Sequence, residues 1–407
     1  MKNAFLLLFT IFLTINLHSQ EILKYDGKIE INSLDTVKAN FQIHFSNENE
    51  SDSLHLFINK NSTIKSILLN DSPIEYSLEN VENDLPDIKK IIIQKKFPKT
   101  FSLEIAYEYP LKLIENKTFQ YNPKWIELNN FTGWFPFNRE NTSFRYNLDF
   151  QIPENYKLIS PGNITTKKNH WFIANKNSND DIPVVISDEF DIFQSDNKEI
   201  LFYTVNLTSA QKKAILEDGN DIINFYHQKF GNSNQNNLVI TINPFSHPWS
   251  YTRKGFISLS LKDNYKTSDR LRLAHEIAHL WWSNNKAYGN GNDWLDEGFA
   301  EYSSLIWYKK YATKKEFDTL LQKYRKAYSL DLKITEVRPR DNKFVEVTYF
   351  KGAYLLYNLN QTIGNKKMMI ILQKVNKNKI NETSQFLKIL QDNLKPKIIN
   401  EVKQNIR

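Results

Sequence analysis

The chain has 407 residues, 41% of them hydrophobic and 24% charged, which is enough for two or three domains around a large core. It contains no cysteine, which excludes disulfides and lipid attachment to an N-terminal Cys. The net charge of +7 comes from lysines scattered among Asn, Glu and Asp, a solvated surface that gives no reason to expect a nucleic-acid partner.

Residues 1–19 read as a secretory signal peptide. Lys2 is its charged start, Ala4 to Ile15 its apolar run, and Leu17-His18-Ser19 precedes the expected cleavage before Gln20. The apolar run is too short to span a bilayer comfortably and no second stretch of spanning length follows. The expectation is export to the periplasm or the outside, with a retained N-terminal anchor as the alternative.

From residue 20 to 205 the dominant period is two. Val37 to Phe45, Phe101 to Tyr109 and Phe144 to Phe150 alternate apolar and polar residues, and turn residues such as Asn70-Asp71-Ser72-Pro73 punctuate them. This predicts an antiparallel β sandwich with one wet face. Within it, Phe131 to Asn138 is a dense aromatic patch centred on Trp134. Core packing is the first reading of it, and lining of a cleft the second.

The period changes at residue 206, where the second expected domain, 206–407, begins. A helix is predicted from Ser209, as its cap, to Phe230, with Gly231 as its stop. Strands are predicted over 237–242 and 255–260. Ser268 then caps a helix in which Leu271, Leu273, Ala274, Ile277, Ala278 and Trp281 recur at helical spacing. After an Asn/Gly loop another helix starts near Asp293, and further helices are predicted over 314–328, 349–362, 366–375 and 384–394.

The helix begun by Ser268 carries the chemistry. It contains His275-Glu276-Ile277-Ala278-His279, and a helix places residues four apart on one face, so both imidazoles can reach one zinc ion. Glu297 on the next helix supplies the third ligand, which leaves the fourth position to water, as a catalytic zinc site needs. Glu276 is then placed to act as general base on that water. Glu301, one turn beyond Glu297, has two readings: a carboxylate that orients a histidine, or an exposed helix charge.

Three segments resemble the aminopeptidase N-like family of zinc metallopeptidases, in the gluzincin clan. They are His275-Glu-Ile-Ala-His-Leu-Trp-Trp-Ser-Asn284, Trp294-Leu-Asp-Glu-Gly-Phe-Ala300 and Tyr349-Phe-Lys-Gly-Ala353. The resemblance implies an α+β multidomain protein: an N-terminal β sandwich, a thermolysin-like zinc catalytic domain and a C-terminal helical part. It also implies one Zn2+ per chain, peptide substrates, and a Tyr349 that hydrogen-bonds the oxyanion of the tetrahedral intermediate.

The sequence departs from that family in two places. Seventeen residues separate His279 from Glu297, one fewer than the family's usual spacing, and the Asn/Gly loop can absorb the difference. The family's G-x-M-E-N motif, whose glutamate holds the substrate's α-amine, is missing. The nearest stretch is Gly255 to Leu259, with Ser258 where the carboxylate would fall, and a hydroxyl lacks the charge that fixes an ammonium. Aminopeptidase and endopeptidase specificity therefore both stay open. The alternative is an inactive or non-peptidase zinc protein that grips peptides or glycans.

Overall fold

The computed structural model describes residues 20–32, 34–48, 51–81, 88–113, 121–138, 143–195, 199–233, 238–243, 245, 250–261, 265–284 and 289–406. The signal-peptide reading lies outside them. Among the described residues no helix is long and apolar enough to cross a membrane.

The period-two segments form the strands Thr36–Ser46, Thr100–Pro110 and Phe144–Gln151 of an eight-stranded sheet. Their alternate residues are buried with those of Ser53–Asn59 and Ile88–Gln94, two strands of a three-stranded sheet, and with the 131–138 segment. The large sheet is not wholly antiparallel, because Glu21–Glu30 runs parallel to Phe144–Gln151. A parallel neighbour needs a long crossover, and local alternation carries no trace of it.

The aromatic patch is core. Trp134 and Phe135 are fully buried, and Trp134 packs its ring on Phe41, Phe135 and Phe150 while its N–H donates to the Ile182 carbonyl. Phe131, half-buried, faces the second part of the protein, where Arg253 stacks on it.

The second core is a helical layer on a five-stranded sheet. This sheet takes in Asp191–Gln194 and Ile200–Thr204, which lie on the N-terminal side of the expected division at 205/206. Ile200 and Phe202 pack with the helices, so by core membership these two strands join the second part. The sheet continues through Leu238–Asn243 and Phe256–Ser260 to the edge strand Tyr251–Arg253.

Helix α1, Ser209–Phe230, is capped by Thr208 rather than Ser209, because the Thr208 hydroxyl accepts the Gln211 N–H. Helix α2, Thr267–Ala278, starts at Lys266, whose N–H the Asp269 carboxylate accepts, so the expected cap Ser268 lies inside the first turn. Then come α3, Glu297–Tyr308, and α4, Lys314–Tyr328. A π-helical turn, Glu346–Lys351, leads into α5, Gly352–Ile363. The chain continues with α6, Asn365–Lys377, α7, Thr383–Asn393, and α8, Pro396–Ile406, which lies beyond the last expected helix.

Candidate metal centre and active site

Helix α2 is fixed by its apolar face. Leu273, Ala274, Ile277 and Ala278 are buried, and the Tyr226 hydroxyl donates to the Ala274 carbonyl. That leaves His275 and Glu276 on the last helical turn and His279 at its cap, all three buried. A short turn, Asp293–Leu295, then delivers Glu297 as the first residue of α3. Asp293 and Asp296 pin the loop here, accepting the N–H groups of Gly289 and Asn284.

His275 Nε2 lies 3.2 Å and His279 Nε2 3.5 Å from the same oxygen, Glu297 Oε2. Three donors at ordinary zinc bond lengths on a tetrahedron stand roughly 3.3 Å apart, so the spacing fits one metal ion. His275, His279 and Glu297 form the one such cluster among the described residues. The outer nitrogens are also committed. His275 Nδ1 lies 2.9 Å from Glu301 Oε2, and His279 Nδ1 lies 2.9 Å from the Trp282 carbonyl. Each ring can therefore donate from Nδ1 and turn the Nε2 lone pair toward the cluster. The Tyr324 hydroxyl, 2.6 Å from Glu301 Oε1, holds that carboxylate in turn. Of the two readings of Glu301, the orienting one matches the geometry.

The charges are strongly coupled. Burial alone would lower the pKa of His275 and His279, but neighbouring carboxylates outweigh it and raise both: Glu297 and Glu301 for His275, Glu297 for His279. Burial likewise opposes ionisation of Glu297 and Glu301, yet the imidazoles hold both below the usual carboxylate range. Without a metal the pocket therefore favours protons on the histidines, the positive charge that a cation would replace.

Tyr349 lies in the π turn rather than at the start of a regular helix, and its ring stacks on His275 at 5.7 Å with a 7° interplanar angle. Lys351, at the end of that turn, donates to the carbonyls of Leu330 and Leu332, both at 2.8 Å. Glycines of two motifs meet here. A Cβ placed on Gly298 would stand 3.0 Å from the Thr348 carbonyl oxygen and 3.3 Å from Gly352 Cα. Only bare backbone lets α3 and the π turn approach this closely.

Two further residues were not anticipated. The Thr252 hydroxyl lies 2.8 Å from Glu276 Oε2 and 3.0 Å from the Glu276 carbonyl. Glu127, from the small strand Ile126–Leu128, reaches the stretch where the amine-holding glutamate is missing. Its Oε1 accepts from Ser258 at 2.5 Å and from Tyr251 at 3.0 Å, and its Oε2 accepts from Trp125 and Asn243. The available signal for Glu127 was a single carboxylate in the apolar run Trp125 to Leu128. Thr252 carried none.

Residues 259–406 match the model of the peptidase family M1 domain. That segment, about a third of the chain, holds every donor of the cluster and is similar to the peptidase family M1 domain. No curated protein sequence matches the chain. Among solved structures, an M1 zinc metallopeptidase from Deinococcus radiodurans superposes with a TM-score of 0.67 at 13% identity, covering 95% of this chain and 94% of the other. Native leukotriene A4 hydrolase from Saccharomyces cerevisiae gives 0.71 at 16%, covering 94% of this chain and 67% of that one. The M1 fold therefore runs through the N-terminal β part as well as the matched segment, as the α+β expectation required.

Proposed function

We propose that this protein is an exported zinc-dependent peptidase that removes residues from free peptide N-termini. The observation that carries the reading is the three-donor cluster of His275, His279 and Glu297, with both Nε2 atoms within 3.5 Å of Glu297 Oε2 and with Glu276 and Tyr349 beside it. These three residues would hold one zinc ion, which would supply Lewis acidity toward a carbonyl and lower the pKa of water. Glu276 takes a proton from the attacking water and returns it to the leaving amine, and the Tyr349 O–H donates to the oxyanion. Glu301 and the Trp282 carbonyl keep the two imidazoles aimed.

The specificity rests on Glu127. Ser258 offers no charge, but the Glu127 carboxylate hydrogen-bonded to it does. A substrate ammonium brings the opposite charge. A variant of the Deinococcus radiodurans enzyme is bound to a Tyr-Ser-Ala substrate, which supports short peptides as the substrate class. The apolar run Ala4 to Ile15 supports export. The peptide- or glycan-binding alternative loses its aromatic motivation, because Trp134 is fully buried.

The test is a mass-spectrometric digest of a peptide mixture with free and acetylated N-termini, using wild type, Glu276→Gln and Glu127→Gln. The expected result is stepwise trimming of free N-termini only, abolished in E276Q and weakened through KM in E127Q. Internal cuts in both peptide sets would make it an endopeptidase. Full cleavage by zinc-loaded E276Q would overturn the mechanism.

A further inference from the structure

We propose that Thr252 is a positioning residue for Glu276, and that the Arg253–Asp181 ion pair sets its place by tying the Thr252 strand to the N-terminal β part. The inference rests on the reading of Glu276 as the base. Tyr251–Arg253 is an edge strand of three residues whose ladder is Tyr251↔Ser258, Thr252↔Ile257 and Arg253↔Phe256. So short an edge, paired along one side, is weakly held by backbone bonds alone.

Its side chains supply the missing restraint, and strand alternation divides them between two faces. Tyr251 and Arg253 point toward the β part. The Tyr251 hydroxyl donates to Glu127, and Arg253 Nε donates to Asp181 Oδ2 at 3.0 Å. Arg253 also donates to Asn130 Oδ1 at 3.2 Å and to the Thr252 carbonyl at 3.0 Å, and it stacks on Tyr251 and Phe131. Asp181, fully buried, is fixed by the N–H groups of Asn130 and Ile182. Thr252, between the two anchors, points the other way and meets Glu276.

A hydroxyl has one proton to donate. Given to the Glu276 carbonyl, it merely satisfies the end of α2. Given to Oε2, it fixes the carboxylate rotamer, and the base then stands where the seam between the two parts puts it. Small misplacements of a catalytic group cost far more rate than binding.

The experiment compares wild type, Thr252→Val, Thr252→Ser, Arg253→Met and Glu276→Gln on the free-N-terminus peptide mixture, with zinc content, melting temperature and a crystal structure of T252V. The expected result for T252V is a kcat about tenfold lower with KM within about twofold. Zinc content stays full, the Glu276 carboxylate leaves its wild-type rotamer, and T252S restores the rate. R253M lowers kcat in the same direction. A wild-type kcat in T252V, or a loss matched by lost zinc or a lowered melting temperature, overturns the proposal. If E276Q keeps full cleavage, the reading of Glu276 itself falls. If E276Q is dead and T252V is normal, only the role of Thr252 falls.

Discussion

Replacing Glu301 probes the metal centre without touching a donor atom. In Glu301→Gln the side-chain oxygen can still accept from His275 Nδ1 at the present 2.9 Å, but the negative charge is gone. The amide nitrogen then faces the Tyr324 hydroxyl, which must switch from donating to accepting. His275 thus keeps its aim and loses the carboxylate that makes its ring a stronger donor. Glu301→Ala removes the aim as well. Partners of this kind are worth about 10- to 100-fold in metal affinity, ~1.4 to ~2.7 kcal/mol, so E301Q should fall near the lower end and E301A near the upper. Competition against a chromogenic zinc chelator at fixed pH measures both. The reasoning is refuted if E301A binds zinc as tightly as wild type, for Glu301 would then be an ordinary helix charge.

Two further predictions concern protons and backbone approach. In the metal-free protein His275 and His279 have pKa values raised above the unfolded value, so their contribution to stability is complete below about pH 6.5 and is lost as pH rises through the folded values. The lowered carboxylates, Glu297 and Glu301, contribute above about pH 4.5 and lose that contribution as pH falls through their folded values. The metal-free melting temperature should therefore peak between these limits and decline toward pH 9. Zinc binding at pH 7 should release about one proton or more, read by calorimetry in buffers of different ionisation heat, and a release of zero would count against the protonated pocket. In Gly298→Ala the new methyl meets the Thr348 carbonyl at 3.0 Å and pushes the π turn that bears Tyr349 away from α3. A stability loss of about 1–3 kcal/mol is expected, with kcat reduced and zinc retained, and an unchanged kcat would show that the close approach is incidental.

The sequence by itself determined what depends on near neighbours in the chain. The i, i+4 spacing of His275 and His279 on an apolar-faced helix was enough to bring both Nε2 atoms to one side. Period-two alternation located Thr36–Ser46 and Thr100–Pro110, and α4 spans the expected Lys314–Tyr328, with Thr313 accepting the Glu316 N–H at its start. The tertiary structure decided whatever joins distant segments. Glu301 is an exposed charge or an orienting carboxylate depending on whether Tyr324 and His275 close around it, and helical periodicity is the same in both cases. The parallel pairing of Glu21–Glu30 with Phe144–Gln151 and the extra residue of the π turn under Tyr349 leave no local period to read. Glu127 meets Ser258 only because two separately cored parts pack together, and Thr252 meets Glu276 only because the edge strand of the second sheet lies beside α2. Motif spacing fixes the donors of a metal site. The charge that selects a substrate and the groups that aim the base come from across the fold, where spacing along the chain carries no distance information.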